Sequence, residues 1–212
     1  MISHRHQCIF IHIPKTGGTS IERALGHFDI LKKGVQDHQL LSEIEPLDRI
    51  SVCRYRVNRH ILRRNVDYRP ELSRNQYRRY FKFSIVRNPW ARVYSWYRNT
   101  IRDVSHRNMP SIPVDCKFDY FVRTYLDHWM LQPQTNWLVN RSGRIDVDFI
   151  GKFESLSIDF SRISDKLGLD LELPHLLDSG KAKYQEAYDD DSISIVGAKY
   201  SEEIDLFGYK FL

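Results

Sequence analysis

Cysteine is scarce: Cys8, Cys53 and Cys116 are the whole supply. Their wide spacing offers neither the paired C-x-x-C of a zinc site nor the density of a disulfide framework, and it fits a reducing compartment. Long apolar runs are lacking too. No stretch approaches the roughly 20 apolar residues of a membrane-spanning helix, and Met1 to Gln7 has no apolar centre of a signal peptide. The expectation is a soluble, unprocessed, cytoplasmic chain. There is no internal repeat or low-complexity linker, so one domain over residues 1–212 is expected. Zinc-finger spacing, an aromatic RNA-binding consensus and a helix-turn-helix signal are all missing, which argues against nucleic acid as a partner. A disordered chain is excluded as well, because 42% hydrophobic and 13% aromatic residues supply a core.

Charge is present but uneven. The formal net charge is only +5, yet Arg49 to Lys82 holds eleven basic residues against two acids, Asp67 and Glu71. Such a segment is either a solvated helical face or a surface that attracts a polyanionic partner, such as an anionic acceptor, over long range.

The apolar pattern predicts an α/β order. Cys8-Ile9-Phe10-Ile11-His12-Ile13, closed by Pro14, reads as a buried first strand. A glycine-bearing turn follows, then a helix with Ile21 and Leu25 on one face, stopped by Gly26. A second unit pairs the strand Phe81–Val86 with a helix from Ala91 to about Ile101, with Asn88 as N-cap and Pro89 at the first helical position. Asp103 to Lys117 reads as a loop, Phe118 to Trp129 as a helix, and Gln132-Pro133-Gln134 as an interruption or a new start. A third strand is expected over Asp148–Phe153, a helix over Ile158–Leu167 ended by Gly168, and a last helix carrying Ile193, Val196, Tyr200, Ile204 and Phe207. Asp189-Asp190-Asp191 suits the positive end of that helix better than a metal site. Trp90, Trp96 and Tyr97 fall at helical spacing, which favours core over sugar platforms.

Between the first strand and helix, Lys15-Thr16-Gly17-Gly18-Thr19-Ser20 offers backbone N–H groups, an ammonium and hydroxyls to an oxyanion. It is not a nucleoside triphosphatase loop, in which the lysine follows the glycines, because here Lys15 precedes Gly17 and Gly18. Arg87 leaves the second strand end with Ser95 two helical turns on, so a second anion fits there. Two separated anion sites point to a ligand with phosphates at both ends.

Ile13 to Ser20 resembles the 5′-phosphosulfate loop of sulfotransferases that use 3′-phosphoadenosine 5′-phosphosulfate (PAPS), and Val86 to Ser95 resembles their 3′-phosphate motif. His128-Trp129 with Gln132-Pro133-Gln134, then Phe149 to Glu154 and Phe207-Gly208-Tyr209, resemble landmarks of the carbohydrate-type branch. The resemblance implies a P-loop-like three-layer sandwich with a central parallel sheet flanked by helices. It implies sulfuryl transfer from PAPS, without a metal, to an acceptor hydroxyl of a carbohydrate or another hydroxyl-bearing molecule. Lys15 would stabilise the leaving phosphate, Thr16, Gly17, Gly18, Thr19 and Ser20 would cradle it, and Arg87 and Ser95 would hold the 3′-phosphate. A histidine suits the role of base. His38, after the first helix where this family often places an acceptor-side histidine, is preferred, with His12, His128 and Glu154 as alternatives. A nucleotide kinase of the same fold and a non-catalytic polyanion-binding module are the rival readings.

Overall fold

The computed structural model describes residues 1–27, 38–48, 71–103, 111–173 and 183–211. One sheet holds β1 (Ile2–Ser3), β2 (Cys8–Ile11), β3 (Phe81–Val86) and β4 (Phe149–Lys152), in that spatial order. Around it lie α1 (Gly18–Ala24), α2 (Leu41–Ile44), α3 (Arg74–Arg79), α4 (Pro89–Arg102), α5 (Phe118–Tyr125), α6 (Gln134–Leu138), α7 (Leu156–Leu167), α8 (Asp190–Lys199) and α9 (Ser201–Phe207). None of these helices is long and apolar enough to cross a membrane.

The expected α/β order holds, but the sheet is mixed rather than parallel. β2, β3 and β4 run parallel, with Phe10 opposite Phe83 and Phe83 opposite Phe149. β1 is antiparallel to β2, Ile2 facing Ile9. Residues 4–7 are too short for the crossover of a dozen or so residues that a parallel neighbour needs, and Gln7 closes the turn at φ 51°.

Alternation along β2 builds both layers. Cys8 and Phe10 join Phe83 and Ile85 under Ile21 of α1 and Phe160 and Ile163 of α7. Ile9 and Ile11 face the other way, against Leu41, Tyr77, Trp137 and Leu138 from α2, α3 and α6. A third cluster packs α4, α5 and α8 together through Trp96, Phe121 and Val196. Trp90, Trp96 and Tyr97 belong to this cluster, as their helical spacing predicts.

Local chemistry sets the boundaries. Asn88 Oδ1 accepts from the N–H groups of Trp90 and Ala91, and Pro89 opens α4. Asp189 accepts from Ser192 N–H at 2.7 Å, so the acidic triplet does begin a helix as a cap. Two expected helices are divided. α5 ends at Tyr125 because His128 turns extended and its Nδ1 caps a separate 3₁₀ turn, Trp129–Leu131, by accepting from Met130 N–H at 3.3 Å. The last helix breaks at buried Tyr200, whose hydroxyl donates to Leu131 O at 2.5 Å.

Most of the basic segment, residues 49–70, lies outside the described residues. Arg74, Arg78 and Arg79 are exposed on α3. Lys82 is not part of any basic face: it is buried, 3.9 Å from both Asp146 and Asp148, with its Nζ donating to Tyr77 O.

β4 fits against α7 only because residue 151 has no side chain. A Cβ on Gly151 would stand 2.7 Å from Ile85 Cδ1 and 2.9 Å from Asp159 Cβ. Gly151→Ala is therefore expected to lower stability by about 2 kcal/mol and Tm by roughly 6 °C. Thermal unfolding checks it, and an unchanged Tm would show that the two elements separate freely.

Candidate active site

The site lies beyond the carboxyl ends of β2 and β3, where ligands sit on open α/β sheets. β2 runs out through His12 into the loop that opens α1. Lys15 holds φ 69° and Gly17 φ 83°, both left-handed, which folds the loop back on itself. Thr16 is fully buried and its hydroxyl donates to Ile13 O at 2.8 Å. That hydroxyl proton closes the loop rather than reaching outward. Thr19 is half-buried and Ser20 buried at the start of α1. The glycines have a packing reason as well. A Cβ on Gly17 would meet Leu156 at 3.0 Å and Phe153 at 3.1 Å, and one on Gly18 would lie 2.1 Å from the His12 ring.

At the end of β3, Arg87 reaches the same loop, its Nη1 donating to Lys15 O at 3.1 Å. The guanidinium lies 4.0 Å from the centre of the Phe153 ring. Its Nε is buried and has no hydrogen-bond partner among the described residues. Burial pushes the Lys15 ammonium down to about 8, helped by repulsion from Arg87 and Arg102. Burial likewise lowers Arg87, to about 10, against the opposing pull of Glu154. Two half-buried cations, one with an orphaned donor, thus lie close enough for Arg87 to repel Lys15. Ser95 is half-buried on α4, on the helix that Arg87 leads into.

Three of the four candidate bases have defined roles in the packing. His12 is buried, its Nδ1 2.8 Å from Glu22 Oε1 on α1. His38 stands over it, ring centres 4.3 Å apart, with its Nδ1 2.9 Å from the His12 carbonyl oxygen. A carbonyl only accepts, so that nitrogen carries a proton and points at the His12 backbone. Glu154 Oε1 accepts from Asn88 N–H at 2.7 Å and Oε2 from the Tyr209 hydroxyl at 3.2 Å, which makes it a structural acceptor. His128 stacks on Trp96 with ring centres 5.6 Å apart, and burial lowers its pKa.

Three residues received no role of their own in the sequence reading, although Arg92 and Gln134 lie within the motifs it marks. Arg92 is fully buried and donates to Pro14 O (3.1 Å), Gln132 O (3.1 Å) and Met130 O (2.6 Å). Gln134 accepts from Arg87 N–H and donates to Arg87 O, both at 2.8 Å. Glu203, buried on α9, accepts from the side-chain and backbone N–H groups of Gln134. Burial raises its carboxyl, while Arg92 and these bonds pull it back. The available signal was a charged residue inside an apolar stripe: Arg92 beside Val93 and Trp96, Glu203 between Tyr200 and Phe207. Among the described residues no group of three His, Cys, Asp or Glu could hold a metal ion.

A strand, a lysine loop and a helix thus meet an arginine from the next strand at the carboxyl end of the sheet. The profile of the sulfotransferase family matches residues 1–210, and the chain belongs to that family. It is 30% identical over 124 residues to carbohydrate sulfotransferase 14 of Danio rerio, a match covering 48% of this chain. That match spans 34% of the relative's own length. No solved structure matches.

Arg92 joins the loop to the Met130–Gln132 turn, so its removal leaves three buried carbonyls without a donor. Arg92→Met is expected to cost on the order of 3 kcal/mol in urea unfolding. A loss below about 1 kcal/mol would mean that those carbonyls find other partners.

Proposed function

We propose that the protein moves a sulfuryl group from PAPS to a carbohydrate hydroxyl. The observation that carries this reading is the meeting of Lys15 and Arg87, with buried Arg87 Nε awaiting an acceptor. The residues present fit a phosphate-bearing donor, because burial depresses both cations and like charge adds to it, from Arg87 and Arg102 on Lys15 and from Arg92 on Arg87, a cost that an anion would relieve. The strand–loop–helix order of β2 and α1, with helices on both faces of the sheet, supports a P-loop-like sandwich.

Each residue then has a task. Lys15 faces the bridging oxygen between phosphate and sulfur and strengthens its hold as charge grows there. Gly17, Gly18, Thr19 and Ser20 line the same anion, and Arg87 with Ser95 holds the remote 3′-phosphate. His38 takes the acceptor proton on Nε2 while the acceptor oxygen bonds to sulfur and the sulfur–phosphate oxygen bond breaks. The electron pair of that bond stays on the departing phosphate. His12 and Glu22 support His38 from beneath.

With ³⁵S-labelled PAPS and a glycan panel, Lys15→Ala is expected to lower kcat about a hundredfold or more while weakening adenosine 3′,5′-bisphosphate far less. Arg87→Ala should act the other way, mainly on affinity. Full turnover in Lys15→Ala would reject the assignment. His38→Ala should abolish transfer and spare bisphosphate binding; wild-type turnover in this variant, with loss in His12→Ala instead, would move the base to His12.

Lys15 also gives the bisphosphate affinity a pH dependence. Its proton is held below about 8 and lost above it, so the cation is present at pH 7 and affinity falls as pH rises through 8. Calorimetric titration between pH 7 and pH 9 reads this directly, and Lys15→Arg should flatten the profile. A wild-type affinity independent of pH over that range would remove Lys15 from the phosphate.

A further inference from the structure

Three of the four tryptophans are core residues: Trp90, Trp96 and Trp137 are at most 6% exposed. Trp129 is 49% exposed. An indole of this size left half in water forgoes burial energy that the other three gain.

Its exposure does not come from a loose segment. The 3₁₀ turn Trp129–Leu131 is capped by His128, and the carbonyls of Met130 and Gln132 are both held by Arg92. The same guanidinium holds Pro14 O, one residue before Lys15. The indole and the lysine loop therefore share one rigid anchor.

A row of rings connects the indole to the candidate base. Ring centres lie 4.3 Å apart from His12 to His38, 6.3 Å from His38 to Trp137, and 6.2 Å from Trp137 to Trp129. Within this row, Trp137 Nε1 is buried and has no hydrogen-bond partner among the described residues. A fixed aromatic face thus stands two ring contacts from the group that would accept the hydroxyl proton, with Trp137 between them.

We propose that Trp129 is the acceptor platform, and that the pyranose ring bearing or adjoining the reacting hydroxyl lies with its C–H face on the exposed indole. This deepens the carbohydrate reading and rests on it. A pyranose has an apolar face that matches an indole and a hydroxyl rim free to meet His38, whereas a free anion would gain nothing from an uncharged ring. Stacking removes the apolar faces of both ring and sugar from water, so Trp129 sets acceptor affinity and leaves the chemical step to Lys15 and His38.

The test uses the whole chain, ³⁵S-labelled PAPS, and four acceptor probes: unsulfated chondroitin, heparosan and N-acetyllactosamine tetrasaccharides, with 4-nitrophenol as a small non-sugar. For the tetrasaccharide that wild type sulfates best, Trp129→Ala is expected to raise KM about tenfold. Its kcat should stay within about threefold and its bisphosphate Kd and Tm should not move. Trp129→Phe keeps an aromatic face and should recover most of the lost KM. An unchanged KM in Trp129→Ala overturns the platform alone and leaves sulfuryl transfer standing. A KM rise accompanied by an equal loss of bisphosphate affinity or of Tm also overturns it, since the indole would then be supporting the fold. Unchanged KM with a shift from dimer to monomer in sedimentation would assign the face to a second copy instead. Transfer by wild type to 4-nitrophenol and to none of the tetrasaccharides overturns the carbohydrate reading and the platform together.

Discussion

The buried guanidinium of Arg92 holds the two sides of the site at a fixed separation. It has no exposed surface, and it satisfies backbone carbonyls on either side, Pro14 on one and Met130 and Gln132 on the other. A planar fork of donors suits carbonyls arriving from different directions, which a lysine ammonium on a flexible stem would not. Burying a charge is costly unless it is fully bonded, so the surrounding turns are constrained to keep their carbonyls in place. The loop that carries Lys15 and the turn that carries Trp129 are thereby one mechanical unit, although more than a hundred residues of chain separate them.

Positive sign survives at the site because nearby carboxylates are directed elsewhere. Glu22 faces His12, Glu154 receives Asn88 N–H and the Tyr209 hydroxyl, and Glu203 receives Gln134. Each acid is bonded to a donor of the scaffold, and from that bonded position Glu154 only partly offsets the depression of Arg87. Depressed ammonium and guanidinium groups side by side are the expected result of burial with like charge. Perturbations of this kind cluster where ligands bind.

Much of this was legible in the chain because its signals are local. β3 spans the very residues that its apolar run marks, Asn88-Pro89 caps α4, and Gly168 ends α7 in the left-handed region. The lysine-before-glycine loop and Arg87 were legible for the same reason, each lying within a few residues of a strand end. What stayed hidden is non-local. The antiparallel β1 depends on a short turn that periodicity does not see, and α5 stops where His128 accepts a backbone proton. Arg92, Gln134 and Glu203 are ordinary helical letters whose meaning lies in partners 38 to 78 positions away. The His12–His38 contact joins residues 26 apart and needs the carboxyl end of β2 to be in place first.

Gln134 gives the site a chemical exactness that its size does not reveal. Its amide meets Arg87 as the next strand of a sheet would, taking the N–H and giving a proton to the C=O of the same residue. One side chain therefore satisfies both backbone groups of Arg87, one residue past the end of β3. Only a primary amide presents acceptor and donor together at that spacing. A glutamate there would be nearly identical in shape and would set a negative oxygen against the Arg87 carbonyl on one side and the Glu203 carboxylate on the other. The position thus distinguishes an oxygen from a nitrogen, and spontaneous hydrolysis of this one amide would set repulsion against the Arg87 carbonyl and Glu203 in place of two hydrogen bonds.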